Sequence, residues 1–137
     1  MEQGNFLPTV ERLITQEQIE KYARASGDFN PIHVDEQFAA TSQFGGTISH
    51  GMKIAAILSE MMTEAFSTDW FETGWIKLRF RAPVYPGDTV TTFGEIKKIR
   101  QGDGFRKLAC TVGVHKQNGE TAITGHATVT VSGAMDG

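Results

Sequence analysis

The chain has 137 residues, 39% hydrophobic and 21% charged, with thirteen basic and sixteen acidic side chains for a net charge of -3. That is the size of one globular domain, too apolar to be disordered and too acidic for a dedicated nucleic-acid binder. The single cysteine, Cys110, excludes an internal disulfide and a cysteine-based zinc site. No apolar run reaches the roughly 20 residues of a membrane span, and residues 1–15 hold no apolar signal-peptide core, so the expected location is the cytoplasm.

In chain order, Val10–Ile14 is expected as a short strand. Thr15-Gln16-Glu17-Gln18 is a capping box, in which the Thr oxygen satisfies an orphan amide and Gln18 reaches back. Ile19, Tyr22 and Ala23 recur at helical spacing, and Gly27 suits the left-handed position after the helix end. Asp35 to Ser42 predicts one or two helical turns, and Phe44-Gly45-Gly46-Thr47 a turn. Gly51 to Phe66 predicts the longest helix. Lys53, Glu60 and Glu64 form a narrow polar stripe flanked by Thr63. The remaining surface, including Met52, Ile54, Leu58, Met61 and Met62, is apolar, so the helix is expected to be buried on most sides.

From Trp75 the period becomes two. Ile76, Leu78 and Phe80 alternate with Lys77, Arg79 and Arg81, as in a strand with one buried face. Pro83 ends it, Pro86-Gly87-Asp88 turns the chain, Thr89 to Ile99 is a second strand, and Gly102-Asp103-Gly104 turns again. Asn118-Gly119 is a strong hairpin signal. Taken as a two-residue loop with Gln117 facing Glu120, it pairs Val114 with Ile123, Val112 with Gly125, Cys110 with Ala127 and Leu108 with Val129. Each apolar residue meets an apolar or small one, a match that a one-residue slip destroys. Thr111, His115, Thr124, His126, Thr128 and Thr130 take the other face. A sheet with one apolar face and a nearly all-apolar helix predict an α+β fold in two layers, with the sheet wrapped around the helix. One domain spanning residues 1–137 is expected.

Three places suggest chemistry. Ser26-Gly27-Asp28-Phe29-Asn30-Pro31-Ile32-His33-Val34-Asp35 sets an acid, an amide and an imidazole in a loop stiffened by Pro31. A carboxylate beside a histidine is the commonest general acid/base pairing; an Asx turn with a surface histidine is the alternative. Ser49-His50-Gly51-Met52 opens the long helix, where unpartnered amides and a glycine offer the geometry of an oxyanion hole; simple capping is the alternative. Ser59 falls on the apolar helix face, either bonded back to a carbonyl one turn earlier or directed into a pocket. Asp28, His33, Asp35 and His50 carry metal-ligand atoms, but no helical ligand spacing supports a metal.

These segments resemble the MaoC-like hydratases, which include the (R)-specific enoyl-CoA hydratases. The carriers are Ser26-Gly27-Asp28-Phe29-Asn30-Pro31-Ile32-His33 with Asp35, Phe44, Ile48, His50-Gly51-Met52, Phe80-Arg81-Ala82-Pro83-Val84 and Pro86-Gly87-Asp88, spanning roughly Thr15 to Val131. The resemblance implies a hot-dog fold and reversible hydration of trans-2-enoyl-CoA to (R)-3-hydroxyacyl-CoA, with no metal or redox cofactor. It implies Asp28 and His33 as the catalytic pair and Gly51 as the amide for the thioester oxygen. Asn30 would hold the loop or the site water, His50 would fix the start of the helix, and Met52 and Ser59 would border the substrate. A homodimer is expected, acting on an acyl-CoA thioester without nucleic acid or membrane. The alternatives are a 3-hydroxyacyl dehydratase working on a carrier-protein thioester and a non-catalytic acyl-CoA-binding protein. For the CoA phosphates, Lys53 and Lys97-Lys98-Ile99-Arg100 are the leading basic candidates, and Arg79 and Arg81 the weaker ones.

Overall fold

The alternating half of the chain forms one antiparallel sheet. It comprises β1 (Glu11–Leu13), β2 (Trp75–Phe80), β3 (Thr89–Gln101), β4 (Phe105–Lys116) and β5 (Thr121–Ser132), in the order β1-β3-β4-β5-β2. The helices are α1 (Gln16–Ser26), α2 (Pro31–Val34), α3 (Glu36–Ala40), α4 (Gly51–Phe66) and α5 (Thr68–Thr73). The structure is a computed structural model. It describes residues 1–133; residues 134–137, included in the expected domain, lie outside the described residues.

The local signals are realised. Thr15 caps α1 in a full capping box, and Gly27 closes it at φ 80°. The long helix has the expected bounds. Ile54, Leu58, Met61 and Met62 are buried against Ile96, Leu108, Cys110, Val112, Val114, Ala127 and Val129 of the sheet. Each fully buried Ile, Leu, Met or Val among them contributes about 1.5–3 kcal/mol of transfer free energy. The sheet curves around α4, as expected, but the helix is not covered all round. Met52, Ala56 and Ser59 are exposed beside Glu60, whose carboxylate pairs with Arg12. Residues 68–73 form the short helix α5, and its Trp70 is buried in the core cluster.

The hairpin pairs Val114 with Ile123, Val112 with Gly125, Cys110 with Ala127 and Leu108 with Val129, as the apolar pattern requires. The loop differs from the expectation. Gly119 N–H donates to the Lys116 carbonyl at 2.9 Å and Lys116 N–H to the Glu120 carbonyl at 2.8 Å, so the loop is Gln117-Asn118-Gly119, with Gly119 at φ 85°. Three-residue loops of this kind carry a left-handed third residue. The displaced register is restored by a bulge: His115 pairs with Thr121 and Val114 with Ile123, leaving Ala122 unpaired. A second irregularity, between Ile96 and Lys98, passes over Lys97 in the β3–β4 ladder.

At the foot of the hairpin a buried ion pair ties three segments together. Lys116 Nζ lies 3.0 Å from Asp88 Oδ2 and 3.4 Å from Glu120 Oε1, and donates to the Pro83 carbonyl at 3.0 Å. Asp88 also accepts from Tyr85 N–H and Gln117 Nε2, each at 2.8 Å. Burial opposes the Asp88 carboxylate. Bonds from Gln117, Tyr85 and Lys116 together outweigh it and hold the pKa below the ordinary carboxylate value. For Lys116, burial is likewise outweighed by Asp88 and Glu120, and its pKa is raised. Asp88→Asn leaves the buried Lys116 with the half-exposed Glu120 as counter-charge, and is expected to lower stability by about 3 kcal/mol at neutral pH. Because the folded carboxyl titrates below its unfolded value, its contribution is complete above roughly pH 4 and is lost as pH falls through the folded pKa. The Tm gap between wild type and Asp88→Asn should therefore close in acid; a gap independent of pH would show that the carboxylate is not its source.

Candidate active site

The chain leaves α1 through Gly27 and enters a loop held by its own side chains. Asn30 N–H donates to Asp28 Oδ1 at 3.2 Å, and Asn30 Oδ1 accepts from Ile32 N–H at 3.1 Å, capping α2 with Pro31 in its first turn. Asp35 ends α2 and caps α3 by accepting from Phe38 N–H at 3.1 Å. Gln16 fixes this unit to its surroundings. Its Nε2 donates to the His33 carbonyl at 2.9 Å, and its Oε1 accepts from Thr47 Oγ1 at 2.7 Å. Ile48 N–H donates to the Ile32 carbonyl and Ser49 N–H to the Val84 carbonyl, lacing the segment before α4 to both sides of the site.

These bonds bring Asp28, His33 and His50 together. One candidate ligating atom from each lies within 4.8 Å of the others. His33 Nδ1 is 2.7 Å from the Ile48 carbonyl oxygen. A carbonyl only accepts, so Nδ1 carries the hydrogen, and Nε2 is the nitrogen left free for proton transfer. His50, 2% exposed, donates from Nε2 to the Asp28 carbonyl at 2.9 Å and stacks on His33 with centroids 3.9 Å apart and planes at 24°. Tyr22 packs on His50 at 4.8 Å. His50 thus clamps the Asp28 backbone to the start of α4. Its Nδ1 is buried without a partner among the described residues.

An apolar cavity of about 350 Å³ opens beside this cluster, lined by His33, Phe44, Ile48, Gly51, Ile54, Phe80 and the 81–84 segment, with Ala122 and Ile123. Gly51 is the first residue of α4, where amides lack partners within the helix. A Cβ there would sit 2.9 Å from Phe80 Cε1, so the glycine lets the Phe80 ring close over the helix end. The hairpin bulge contributes a wall: Ala122 faces the cavity, and its carbonyl accepts from Arg81 N–H at 2.8 Å and Ala82 N–H at 3.3 Å. Bulges beside active sites commonly re-aim a residue in this way.

Of the residues singled out in the sequence, His33 and Gly51 line the cavity, and Asp28 stands exposed beside His33. Asn30 caps α2 and His50 holds the Asp28 carbonyl, and neither lines the cavity. Met52 is 64% exposed and does not line the cavity. Ser59, expected on a buried face, is exposed. Its hydroxyl neither bonds back along the helix nor lines the cavity, but accepts from Trp70 Nε1 at 3.0 Å. Lys53 donates to Gln18 Oε1 at 3.3 Å, and burial lowers its pKa. Nothing in the sequence marked Gln16, Ala122 or Ile123 as part of the site. Residues 80–84 stood out as a motif, and within it only Arg81 had an expected part in binding. Replacing Ser59 by Ala should leave the buried indole N–H unpaired and cost about 1 kcal/mol, read as a lower Tm; an unchanged Tm would remove this bond from the stability of α5.

Residues 2–118 match the MaoC like domain family. The chain is 34% identical over 112 residues to an (R)-specific enoyl-CoA hydratase of Aeromonas caviae, covering 82% of each protein. It is 33% identical over 118 residues to a 3-hydroxybutyryl-CoA dehydratase of Methylorubrum extorquens, covering 86% of this chain and 73% of the relative. A solved (R)-hydratase structure from A. caviae superposes with a TM-score of 0.81 at 29% identity, covering 96% of this chain and 97% of that one. Sheet order, central helix and this likeness agree on the hot-dog fold, and the chain belongs to the MaoC-like domain family.

Proposed function

We propose that this chain is a hydro-lyase that reversibly hydrates trans-2-enoyl-CoA to (R)-3-hydroxyacyl-CoA. The observation that carries the reading is the tautomer of His33. Its Nδ1–H is spent on the Ile48 carbonyl, leaving Nε2 free beside the Asp28 carboxylate at the edge of an apolar cavity that the start of α4 also borders. The relatives named as a hydratase and as a dehydratase describe one reaction run in opposite directions.

The chemistry follows from the arrangement. The enoyl chain lies in the apolar cavity with its thioester oxygen at the Gly51 amide. The helix end polarises the carbonyl and stabilises the enolate that forms. Asp28 and His33 hold one water between them. As its oxygen bonds to C3, the pair takes one of its protons, the double-bond electrons move to the enolate, and a proton is returned to C2. Positioned proton transfer of this kind is typically worth about 10²–10⁴-fold. Asp28→Asn and His33→Gln are therefore each expected to lower kcat for crotonyl-CoA hydration by about a hundredfold or more, with the fold intact by thermal melting. Near-normal turnover in either variant would take that residue out of the chemistry, and an (S)-configured product would overturn the stereochemical assignment.

The reading includes a homodimer in the cytoplasm. β2 is an edge strand with its outer backbone unpaired, and Trp75, Phe80 and Met52 are each more than half exposed. An open edge with apolar side chains invites a second chain. No helix among the described residues is long and apolar enough to cross a membrane. Light scattering is expected to give twice the 15.0 kDa chain mass; a fully active monomer would contradict the dimer.

A further inference from the structure

β2 presents Lys77 and Arg79 on the sheet face opposite the core, and Arg81 follows at its end. The register sets what lies beside them. Lys77 pairs with His126 and His126 with Thr111; Arg79 pairs with Thr124 and Thr124 with Gly113. Gly113 has no side chain, and the Phe93 ring fills its place: a Cβ there would meet Phe93 Cζ at 2.2 Å. The result is a second cavity of about 590 Å³ on the outer face, with Thr111, Thr124 and Phe93 as its floor and Lys77, Arg79, Arg81 and His126 around it.

Two features mark this groove as built for an anion. No acidic side chain lines it, and among the described residues none of its three cations forms an ion pair, although acids outnumber bases in the chain. Alternate residues on a strand face stand about 7 Å apart, so the three like charges repel one another until a counter-charge arrives. The second feature is Arg81, which borders both cavities. Its backbone N–H is fixed by the Ala122 carbonyl, and its Nε donates to Thr124 Oγ1 at 3.2 Å. A ligand leaving the apolar cavity past Arg81 meets Arg79 and Lys77 along about 13 Å of strand. The sequence-favoured cluster is placed otherwise. Lys97, Lys98 and Arg100 lie on β3 and line neither cavity, and Lys97 is paired with Glu95 at 3.2 Å.

Resting on the function proposed above, we infer that this outer groove is the subsite for the diphosphate end of coenzyme A, with Arg81 at the junction to the cavity that takes the acyl end. The division matches the substrate's own polarity: the apolar chain enters the apolar cavity, and the phosphates meet guanidinium forks and an ammonium, the side chains suited to phosphate oxygens.

Crotonyl-CoA and crotonyl-N-acetylcysteamine share the reacting end, and only the first has phosphates. Their kcat/KM values are to be compared at low salt in wild type, in Lys77→Gln and Arg79→Gln singly, and in the double variant. Both side chains are exposed on the outer face. The double variant is expected to reduce the preference for crotonyl-CoA by about tenfold, through KM, as for loss of uniform binding. Added salt should narrow the difference between wild type and variant, because exposed charges are screened. A preference equal to wild type in all three variants overturns the subsite. If wild type hydrates neither thioester, the proposed function fails, and calorimetry with free coenzyme A decides the groove separately: tighter binding by wild type than by the double variant supports it, and equal or absent binding overturns it.

Discussion

Ile54, Leu58, Met61 and Met62 must leave water, and the sheet's apolar face is the surface available to cover them. That burial is the constraint on which the rest of the structure depends. It holds α4 against β3, β4 and β5, and so fixes where the helix begins. The start of α4 is where Gly51 and His50 stand, and every other part of the site is located relative to it. The same packing leaves the Met52–Ala56–Ser59 face open and β2 at the sheet edge. The buried face and the open face of α4 have one origin.

The site is assembled largely through main-chain carbonyls. Ile48 sets the tautomer of His33, Asp28 receives His50, and His33 receives Gln16. A carbonyl fixed by neighbouring structure is a rigid acceptor, so these bonds orient both imidazoles without a dedicated carboxylate behind either. The cavity opposite is closed by two stretches far apart in the chain: residues 80–84, whose Pro83 carbonyl is held by Lys116, and the bulged Ala122 with Ile123. The buried ion pair of Asp88 with Lys116 therefore lies near the cavity for a physical reason. Lys116 Nζ holds the Pro83 carbonyl, and Tyr85, whose N–H is bound to Asp88, donates its hydroxyl to the Phe44 carbonyl.

Charge is divided between the sheet faces in the same economical way. On the inner side the buried ionic contact is tied up at the hairpin foot, where each partner holds the other charged. On the outer side, Lys77 and Arg79 of β2 form no ion pair among the described residues. A net charge of -3 conceals this asymmetry, because composition sums over faces that the fold separates.

What the sequence determined by itself was whatever depends on neighbours along the chain or on one pair of adjacent strands. The Thr15 capping box, the left-handed Gly27, the bounds of α4 and the apolar pairing from Leu108–Val129 to Val114–Ile123 all stand as read, because each is a short-range match of hydrogen bonds or pleat. The Asp28–Asn30–Pro31–His33 loop was legible for the same reason, since its caps lie within two or three residues. Tertiary structure alone decided the three-residue hairpin loop with its compensating bulge, the bond from Trp70 to Ser59, the clamp through Gln16, and the cavity wall at Ala122 and Ile123. Apart from the hairpin loop, these join residues far apart in the chain, and their partners are set by strand order, helix docking and register shifts. Hydrophobic periodicity reports which face of an element is buried, but not which distant residue will meet it there.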